Sequence, residues 1–405
     1  MPWKESDSVS QRQEFALRAL SGRESMTELC AEYTISRKTG YKWLRRFLAE
    51  GHGGLGDRSR RPHSHSHSLS EDAVCRIVEL KLAHPTWGPR KLLAIWKRSW
   101  ADRPPCESSF KRVLEKAGMV HKRRPRRFST KTGRLQQRRQ PTAPNQVWTV
   151  DFKGWWWAGR HRCEPLTVRD DYSRYLLFVA PLEGNRTLHV RQAFESIFER
   201  HGMPESIRSD NGSPFATAAA PLGLSRLSAW WVTLGISLDR IDPGRPDQNG
   251  GHERMHADIA FEIESHKHKN LQTARQALEI WRTTFNEQRP HEALGMQCPA
   301  DIYESSPRKW EGTPQSLQYP EGYIVRRVHE RMGHVKIDNR RIFISTAVGG
   351  WDAGFKPINE NELSVWFGNL QLGEINLRTE KFAPASAGAT DPQPLTPALP
   401  HPTRV

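Results

Sequence analysis

Between residues 12 and 51, apolar positions recur at helical spacing in two segments joined by a tight turn. Residues 26–33 put Leu29, Cys30 and Tyr33 on one face, and Ile35 then precedes Ser36, a side chain suited to cap a second helix running towards Leu48. This is helix-turn-helix spacing. Trp43, Leu44 and Phe47 can pack inward, while Arg37, Lys38, Thr39, Tyr41 and Lys42 face outward near the helix start, where such a helix reaches base edges and phosphates. A plain three-helix bundle with a solvated basic face has the same pattern. A second helical unit spans residues 71–119, with Trp87-Gly88-Pro89 opening one helix and Gly118 ending another that starts near Glu107. It has the look of a second helix-turn-helix, with Lys111, Arg112 and Lys116 on its basic side.

From residue 145 the period changes to that of strands. Residues 146–157, 165–169 and 174–182 are β-rich runs separated by turn chemistry, and they predict a meander. A helix over 188–201, a short strand ending at Ser209, a helix over 225–234 and a strand over 236–241 follow. Helical patterns then occupy 251–265 and 271–286. Three strands followed by alternating helices and strands describe a mixed α/β sheet. Residues 319–381 predict a small all-β module, with turns at Met332-Gly333, Asp338-Asn339 and Gly368-Asn369. The expected division is a helix-turn-helix domain (1–57), a linker (58–70), a second such domain (71–120), a basic linker (121–144), the α/β core (145–305), the β module (319–382) and a disordered tail (383–405). Six prolines among the 23 residues of that tail argue against a core there.

Charge adds a partner to this picture. Residues 1–150 carry 31 Lys and Arg against 14 Asp and Glu, and the remainder carries 30 against 31. The whole excess of +16 therefore belongs to the front of the chain, as expected of a polyanion-binding end attached to a near-neutral body. Double-stranded DNA is the expected partner. Residues 121–140 contain nine Lys or Arg and no acid, so Arg123, Arg124, Arg126 and Arg127 are candidate backbone contacts, although a solvated tether has the same composition. In the linker, His63, His65 and His67 alternate with serine and read as a flexible spacer rather than a metal site.

Two classes fall away. The longest apolar run, residues 175–182, is far short of the ~20 residues of a membrane helix, and no signal-peptide core precedes it, so a soluble, intracellular protein is expected. The five cysteines are scattered and never spaced C-x-x-C, so they read as reduced core residues.

Three acids stand in unusual settings. Asp151 sits inside the strand VWTVDFKG, where a charge among apolar neighbours is costly unless something positive meets it. Asp210 ends a strand in RSDNGSPF, and Glu253 opens a helix after PGRPDQNGG. Singly, Asp210 reads as a turn cap and Glu253 as a helix N-terminal charge. Together they suggest carboxylates converging at the rim of one sheet. Such a cluster repels itself unless divalent cations neutralise it, and oxygen donors select magnesium or manganese. Two such ions serve in-line displacement at phosphorus.

The segments VWTVDFKG, DDYSRY, RSDNGSPF, PGRPDQNGGHERMH and FNEQRPHEALG, with ELCAEYTISRKTGYKWL near the N-terminus, resemble bacterial insertion-sequence transposases of the DDE group, whose catalytic core is similar to that of retroviral integrases. The resemblance covers roughly residues 12–303. It implies a multidomain chain: N-terminal all-α helix-turn-helix units, a central α/β RNase H-like core and a small C-terminal all-β module. It also implies Asp151, Asp210 and Glu253 as catalytic and metal-binding triad, magnesium (or manganese), two ions per site, as cofactor, strand cleavage and 3′-hydroxyl transfer at element ends and target DNA, and a homo-oligomer. Two departures stand out. Many relatives carry Lys or Arg seven residues after the catalytic glutamate, where this chain has Ala260, with Lys267 and Lys269 further on; and the stretch between Asp210 and Glu253, including the Ala-rich residues 217–222, is long.

Two rivals remain at this level. His252-Glu253-Arg254-Met255-His256 matches the zinc-peptidase pattern H-E-x-x-H, but leaves Asp151, Asp210 and the basic front end unexplained. A catalytically inactive DNA-binding repressor of the same fold is the other, and Ala260 is its support.

Overall fold

The computed structural model describes residues 7–59, 69–120, 140–184, 186–241 and 250–385. Residues 1–70 form one compact unit and residues 71–405 the other.

The first unit contains α1 (Ser8–Ser21), α2 (Met26–Glu32) and α3 (Arg37–Glu50). A capping box starts α2, with Ser25 Oγ accepting from Glu28 N at 3.3 Å and Glu28 Oε2 accepting from Ser25 N at 3.0 Å. Ser36 caps α3 by accepting from Thr39 N at 3.2 Å. Phe15, Leu29, Cys30 and Trp43 are buried. The helices approach closely at Gly40, where a β-carbon would lie 2.5 Å from Cys30 Sγ and 2.9 Å from Phe15. Only a glycine permits that packing.

The second unit begins with α4 (Glu71–Ala83), α5 (Pro89–Ser99) and α6 (Glu107–Lys116). Pro89 occupies the first helical position after Gly88, and Gly118, at φ +67°, follows the end of α6. These helices are fastened to the mixed sheet's own helices: Arg98 pairs with Asp301 at 2.7 Å, and Thr86 hydrogen-bonds Glu262.

The central sheet is built from β1 (Val147–Phe152), β4 (Pro165–Asp170), β5 (Leu176–Pro181), β6 (Ser206–Ser209) and β7 (Ser237–Arg240), in the order β5-β4-β1-β6-β7. Pairs β5/β4 and β4/β1 are antiparallel, and β1/β6 and β6/β7 are parallel. The meander expected over 146–157 and onward is interrupted. Gly154, at φ +82°, turns the chain after Phe152, and β2 (Trp156–Ala158) with β3 (His161–Cys163) forms a separate hairpin before β4. Strand alternation sorts the sheet's faces. Trp148, Val150, Leu166 and Val168 join the core formed with α7 (Thr187–His201) and α8 (Arg226–Thr233). Thr149, Asp151, Thr167 and Arg169 point to the other side, where α9 (Gly250–Ile259), a π-helical turn (Ala260–Glu264) and α10 (Leu271–Glu287) pack.

The C-terminal strands β8 (Ile324–Arg327), β11 (Asp352–Asn359), β12 (Glu362–Phe367), β13 (Leu370–Asn376) and β14 (Lys381–Pro384) form a sheet in the order β14-β13-β12-β11-β8, beside a hairpin of β9 (His334–Ile337) and β10 (Arg340–Phe343). β14 runs two residues beyond the 382 boundary, and residues 386–405 lie outside the described residues. Asp338 and Asn339, both at positive φ, make the β9–β10 turn. The Ala-rich insertion has a packing role: Ala220 and Leu222 lie against this module's core, which also takes in Leu224, Ala229 and Val232. The cysteines divide: Cys30, Cys163 and Cys298 are buried, whereas Cys75 and Cys106 are exposed on α4 and at the cap of α6, contrary to the expectation that all lie in a core.

Candidate active site

Asp151 lies on β1, half-buried, opposite Thr167 of β4. Asp210 follows the last residue of β6, the strand on the other side of β1, and is exposed, with Oδ1 accepting from Gly212 N at 3.1 Å. Glu253 is exposed in the first turn of α9. The fold thus brings Asp210 and Glu253, 59 and 102 positions further along the chain, within electrostatic reach of Asp151. Their mutual influence is electrostatic. Burial, reinforced by the negative charges of Asp210 and then Glu253, raises the Asp151 carboxyl to about 7. Among the described residues, the trio whose potential ligand atoms lie within 4.8 Å of one another is instead Asp151, His252 and His256.

The two histidines are occupied with the sheet. His252 is fully buried, its Nε2 2.7 Å from Thr149 Oγ1 and its Nδ1 3.1 Å from Thr167 Oγ1. His256 Nε2 is 2.9 Å from the same Thr167 Oγ1, which donates to the Asp151 carbonyl oxygen at 2.9 Å. A hydroxyl has one proton to give. Thr167 donates its proton to the Asp151 carbonyl, so His252 Nδ1 and His256 Nε2 donate to Thr167, while His252 Nε2 meets the Thr149 hydroxyl, which also lies 3.3 Å from the Arg169 carbonyl oxygen. Both rings are neutral, because burial, reinforced by neighbouring cations, holds His256 at about 3 and His252 well below its ordinary value. The helix carrying Glu253 is thereby tied to the backbone of Asp151.

The zinc-peptidase reading gains no support from this arrangement. Zinc needs a bare ring nitrogen from each histidine, and both His252 nitrogens and His256 Nε2 are committed to threonine hydroxyls. Glu253, between them in the sequence, faces solvent instead.

Beneath the start of α9, Arg169 is buried and its guanidinium is lowered to about 10, chiefly by desolvation. It reaches Asp171 at 3.3 Å, and Asp171 also accepts from Arg174 at 3.0 Å and Arg208 at 2.8 Å. Asp170 accepts from Asn145 N, Ser173 N and Ser173 Oγ at 2.7, 2.7 and 2.6 Å. These acids build the turn between β4 and β5. Thr149, Thr167 and Arg169 escaped sequence reasoning; the signal was the shared T-V-D and T-V-R alternation of VWTVDF and PLTVRD, which puts polar side chains on one face of both strands.

On α3, Arg37, Lys38, Tyr41 and Lys42 are exposed along the first two turns and Thr39 is half-buried, its hydroxyl 2.9 Å from Ser36 Oγ. Lys111 and Arg112 are exposed on α6, with Lys111 3.9 Å from Glu115. Arg123, Arg124, Arg126 and Arg127, and likewise His63, His65 and His67, lie outside the described residues. No described helix is long and apolar enough to cross a membrane.

Residues 141–246 and 234–299 match family models described as integrase core domain, residues 11–63 one described as helix-turn-helix domain, and residues 39–114 one described as homeodomain-like domain. An insertion element IS407 protein of 31.7 kDa from Burkholderia multivorans is 30% identical over 234 residues, 58% of this chain and 81% of that protein. An insertion element IS476 protein of 39.2 kDa from Xanthomonas euvesicatoria is 28% identical over 56% of this chain and 63% of its own length. Among solved structures, the catalytic core domain of BIV integrase is similar over 39% of this chain and 93% of its own, at 21% identity and a TM-score of 0.30. By its integrase-core and helix-turn-helix segments, and its identity to most of the length of an insertion-element protein, the chain belongs to the insertion-element transposases with an integrase-like core.

Proposed function

We propose that this chain cuts and joins DNA strands at the ends of its own mobile element, with Asp151, Asp210 and Glu253 as the carboxylates that hold two magnesium or manganese ions. The observation that carries the reading is the Asp151 carboxyl, pushed up to about 7 by burial and by two further acids on neighbouring elements. A buried carboxyl whose ionisation is disfavoured by two neighbouring acids is a site whose missing component is positive charge. Their oxygen donors fit hard divalent ions. Bound there, such ions would neutralise charge on the reacting phosphate and polarise it.

The chain's own residues hold the arrangement. Asp151 is fixed by the β1/β4 ladder, Glu253 is carried in the first turn of α9, and His252 and His256, neutral and hydrogen-bonded to the sheet's threonines, set the distance between the two elements. Asp210 and Glu253 remain open to solvent, where a DNA phosphate can approach. Arg37, Lys38, Thr39, Tyr41 and Lys42 of α3 contact the element's terminal inverted repeats, and Lys111, Arg112 and the basic residues Arg123, Arg124, Arg126 and Arg127 follow the phosphate backbone. Water attacks the terminal phosphodiester and leaves a 3′-hydroxyl, which then attacks target DNA; no covalent enzyme intermediate is required. Two ends must be held together, so the working form is a homo-oligomer.

Ala260, where many relatives carry a cation, favours a second reading, a DNA-binding repressor that keeps the fold without the reaction. An oligonucleotide strand-transfer assay with magnesium, run on the parent, Asp151→Asn and Glu253→Gln, separates them. Joining by the parent alone supports the triad, joining by none favours the repressor, and equal joining by all three excludes the triad.

A further inference from the structure

We infer that Trp155 and Trp157, on the hairpin of β2 and β3, form a stacking platform for unpaired bases of a DNA strand that passes through the carboxylate site; this rests on the function proposed above. Trp156, Ala158 and Cys163 are buried in the core shared with α9 and α10 and anchor the hairpin. Alternation then turns Trp155 and Trp157 the other way, and they are 48% and 62% exposed. Their rings meet edge to face at 5.5 Å, and the Arg162 guanidinium lies over Trp155 at 5.0 Å. Two adjacent indoles left about half in water mark a surface suited to be covered.

Charge selects the occupant. The hairpin turn rests on the backbone of Lys269, because a β-carbon on Gly159 would lie 2.1 Å from the Lys269 carbonyl oxygen. Hairpin and adjoining segment, residues 154–164 and 265–270, together carry Arg160, Arg162, Lys267 and Lys269 against one acid, Glu164. Arg160, Arg162, Lys267 and Lys269 are all exposed. Aromatic faces among cations are the recognition chemistry of single-stranded nucleic acid, in which bases stack while the backbone is neutralised. A second copy of the chain meeting this patch with its own would set like charges together. Position agrees as well: Trp155 follows Asp151 by four residues, so their Cα atoms are at most about 14 Å apart along the chain. Strand transfer leaves unpaired nucleotides beside the reacting phosphate, and the platform is within their reach.

The test compares the full-length parent with Trp155→Ala/Trp157→Ala and Trp155→Phe/Trp157→Phe. Binding is read by fluorescence anisotropy, with a labelled oligothymidine of about 20 nucleotides and a blunt duplex of similar length as probes. Stacking on a side chain changes affinity by roughly 5- to 150-fold per base. The alanine pair is expected to lose at least about tenfold on the oligothymidine and little on the duplex, and the phenylalanine pair to retain most of the parent's affinity. Unchanged oligothymidine binding by the alanine pair overturns the inference, as does equal loss on both probes. Dissociation of an oligomer by the alanine pair in sedimentation, with oligothymidine affinity intact, overturns it in favour of a subunit interface. The readout needs no catalysis: tryptophan-dependent binding without any strand joining would leave the platform standing and remove the proposed chemistry, and the reverse result would do the opposite.

Discussion

Gly251 lies directly against Arg169: a β-carbon built on the glycine would sit 2.1 Å from the arginine Nη2 and 2.8 Å from Cζ. The second glycine of the QNGGHERMH segment is therefore the contact through which the start of α9 settles on the sheet. The first, Gly250, has open space around its β-carbon position. Gly251→Ala forces a buried guanidinium off Asp171 and is expected to destabilise the second unit by about 1–3 kcal/mol, the scale of overpacking. Gly250→Ala is expected to be neutral or to stabilise by up to about 1 kcal/mol through helix propensity. Urea denaturation of the two variants beside the parent checks the contrast, and equal effects would break the assignment of that contact.

Thr167 is the hub that three hydrogen bonds share, so its hydroxyl and its shape can be separated. Thr167→Val keeps the volume and strands His252 Nδ1 and His256 Nε2, at a cost of about 1–3 kcal/mol for each buried group left unsatisfied. Thr167→Ser keeps the hydroxyl and is expected to cost less than the valine variant. If the relay sets the position of Glu253 relative to Asp151, the valine variant also requires more magnesium for strand joining, and serine restores the parent's requirement. Titrating the joining reaction with magnesium decides this; a valine variant with the parent's magnesium dependence would assign the relay to stability alone.

Local signals were readable in the chain because they act within a few residues. The Ser36 cap, the Gly88-Pro89 start of α5, the Gly118 stop after α6 and the Asp338-Asn339 turn each follow from side chains beside the backbone they govern. The three acids stand out as candidates for the same reason, since each sits in a setting odd for a charge. What escaped depends on distant partners. The run of tryptophans after Asp151 reads as continued strand until Gly154 turns it out into a hairpin whose buried face belongs to α9 and α10. Thr149 and Thr167 acquire meaning only when the β1/β4 register and two histidines about a hundred positions away coincide. Ala220 and Leu222 look like surface loop because their partners lie in the C-terminal module. The π-helical turn at Ala260–Glu264 has no local signature; it follows the helix of Glu253 at the position where a cation was expected.

The exposed basic start of α3 predicts a salt-dependent interface. Lys38→Ala and Lys42→Ala each remove one candidate phosphate contact from a helix whose fold depends on Gly40 and Trp43 instead. Each is expected to weaken duplex binding across sequences and to lower the slope of log affinity against log salt by about 1. Tyr41→Ala, if that side chain reads base edges, reduces discrimination between the element's end and unrelated duplex by about 1–3 kcal/mol with the slope unchanged. Anisotropy titrations at several salt concentrations distinguish the two kinds of contact. Unaltered slopes for both lysine variants would move the DNA-facing surface elsewhere.

Asp151 makes the metal-free protein pay for its own site, and the sign of that effect is fixed by its raised pKa. The folded state holds the Asp151 proton up to about 7, whereas the unfolded chain releases it near 3.8, the ordinary value of an aspartate. Stability contributed by the neutral carboxyl is complete below pH 3.8, declines as pH rises towards 7, and is gone above it. Asp151→Asn never ionises, so without metal it is expected to match the parent near pH 4 and to exceed it at pH 8 by up to about 4 kcal/mol. Magnesium should reverse the order at pH 8, stabilising the parent and leaving the asparagine variant nearly unmoved, because cations compete with the proton for the same oxygens. Thermal denaturation of both proteins at the two pH values, with and without magnesium, tests each part. A parent whose stability is unaffected by magnesium at pH 8, while Asp151→Asn still gains there in its absence, would leave the buried acid real and take away its role as a metal ligand.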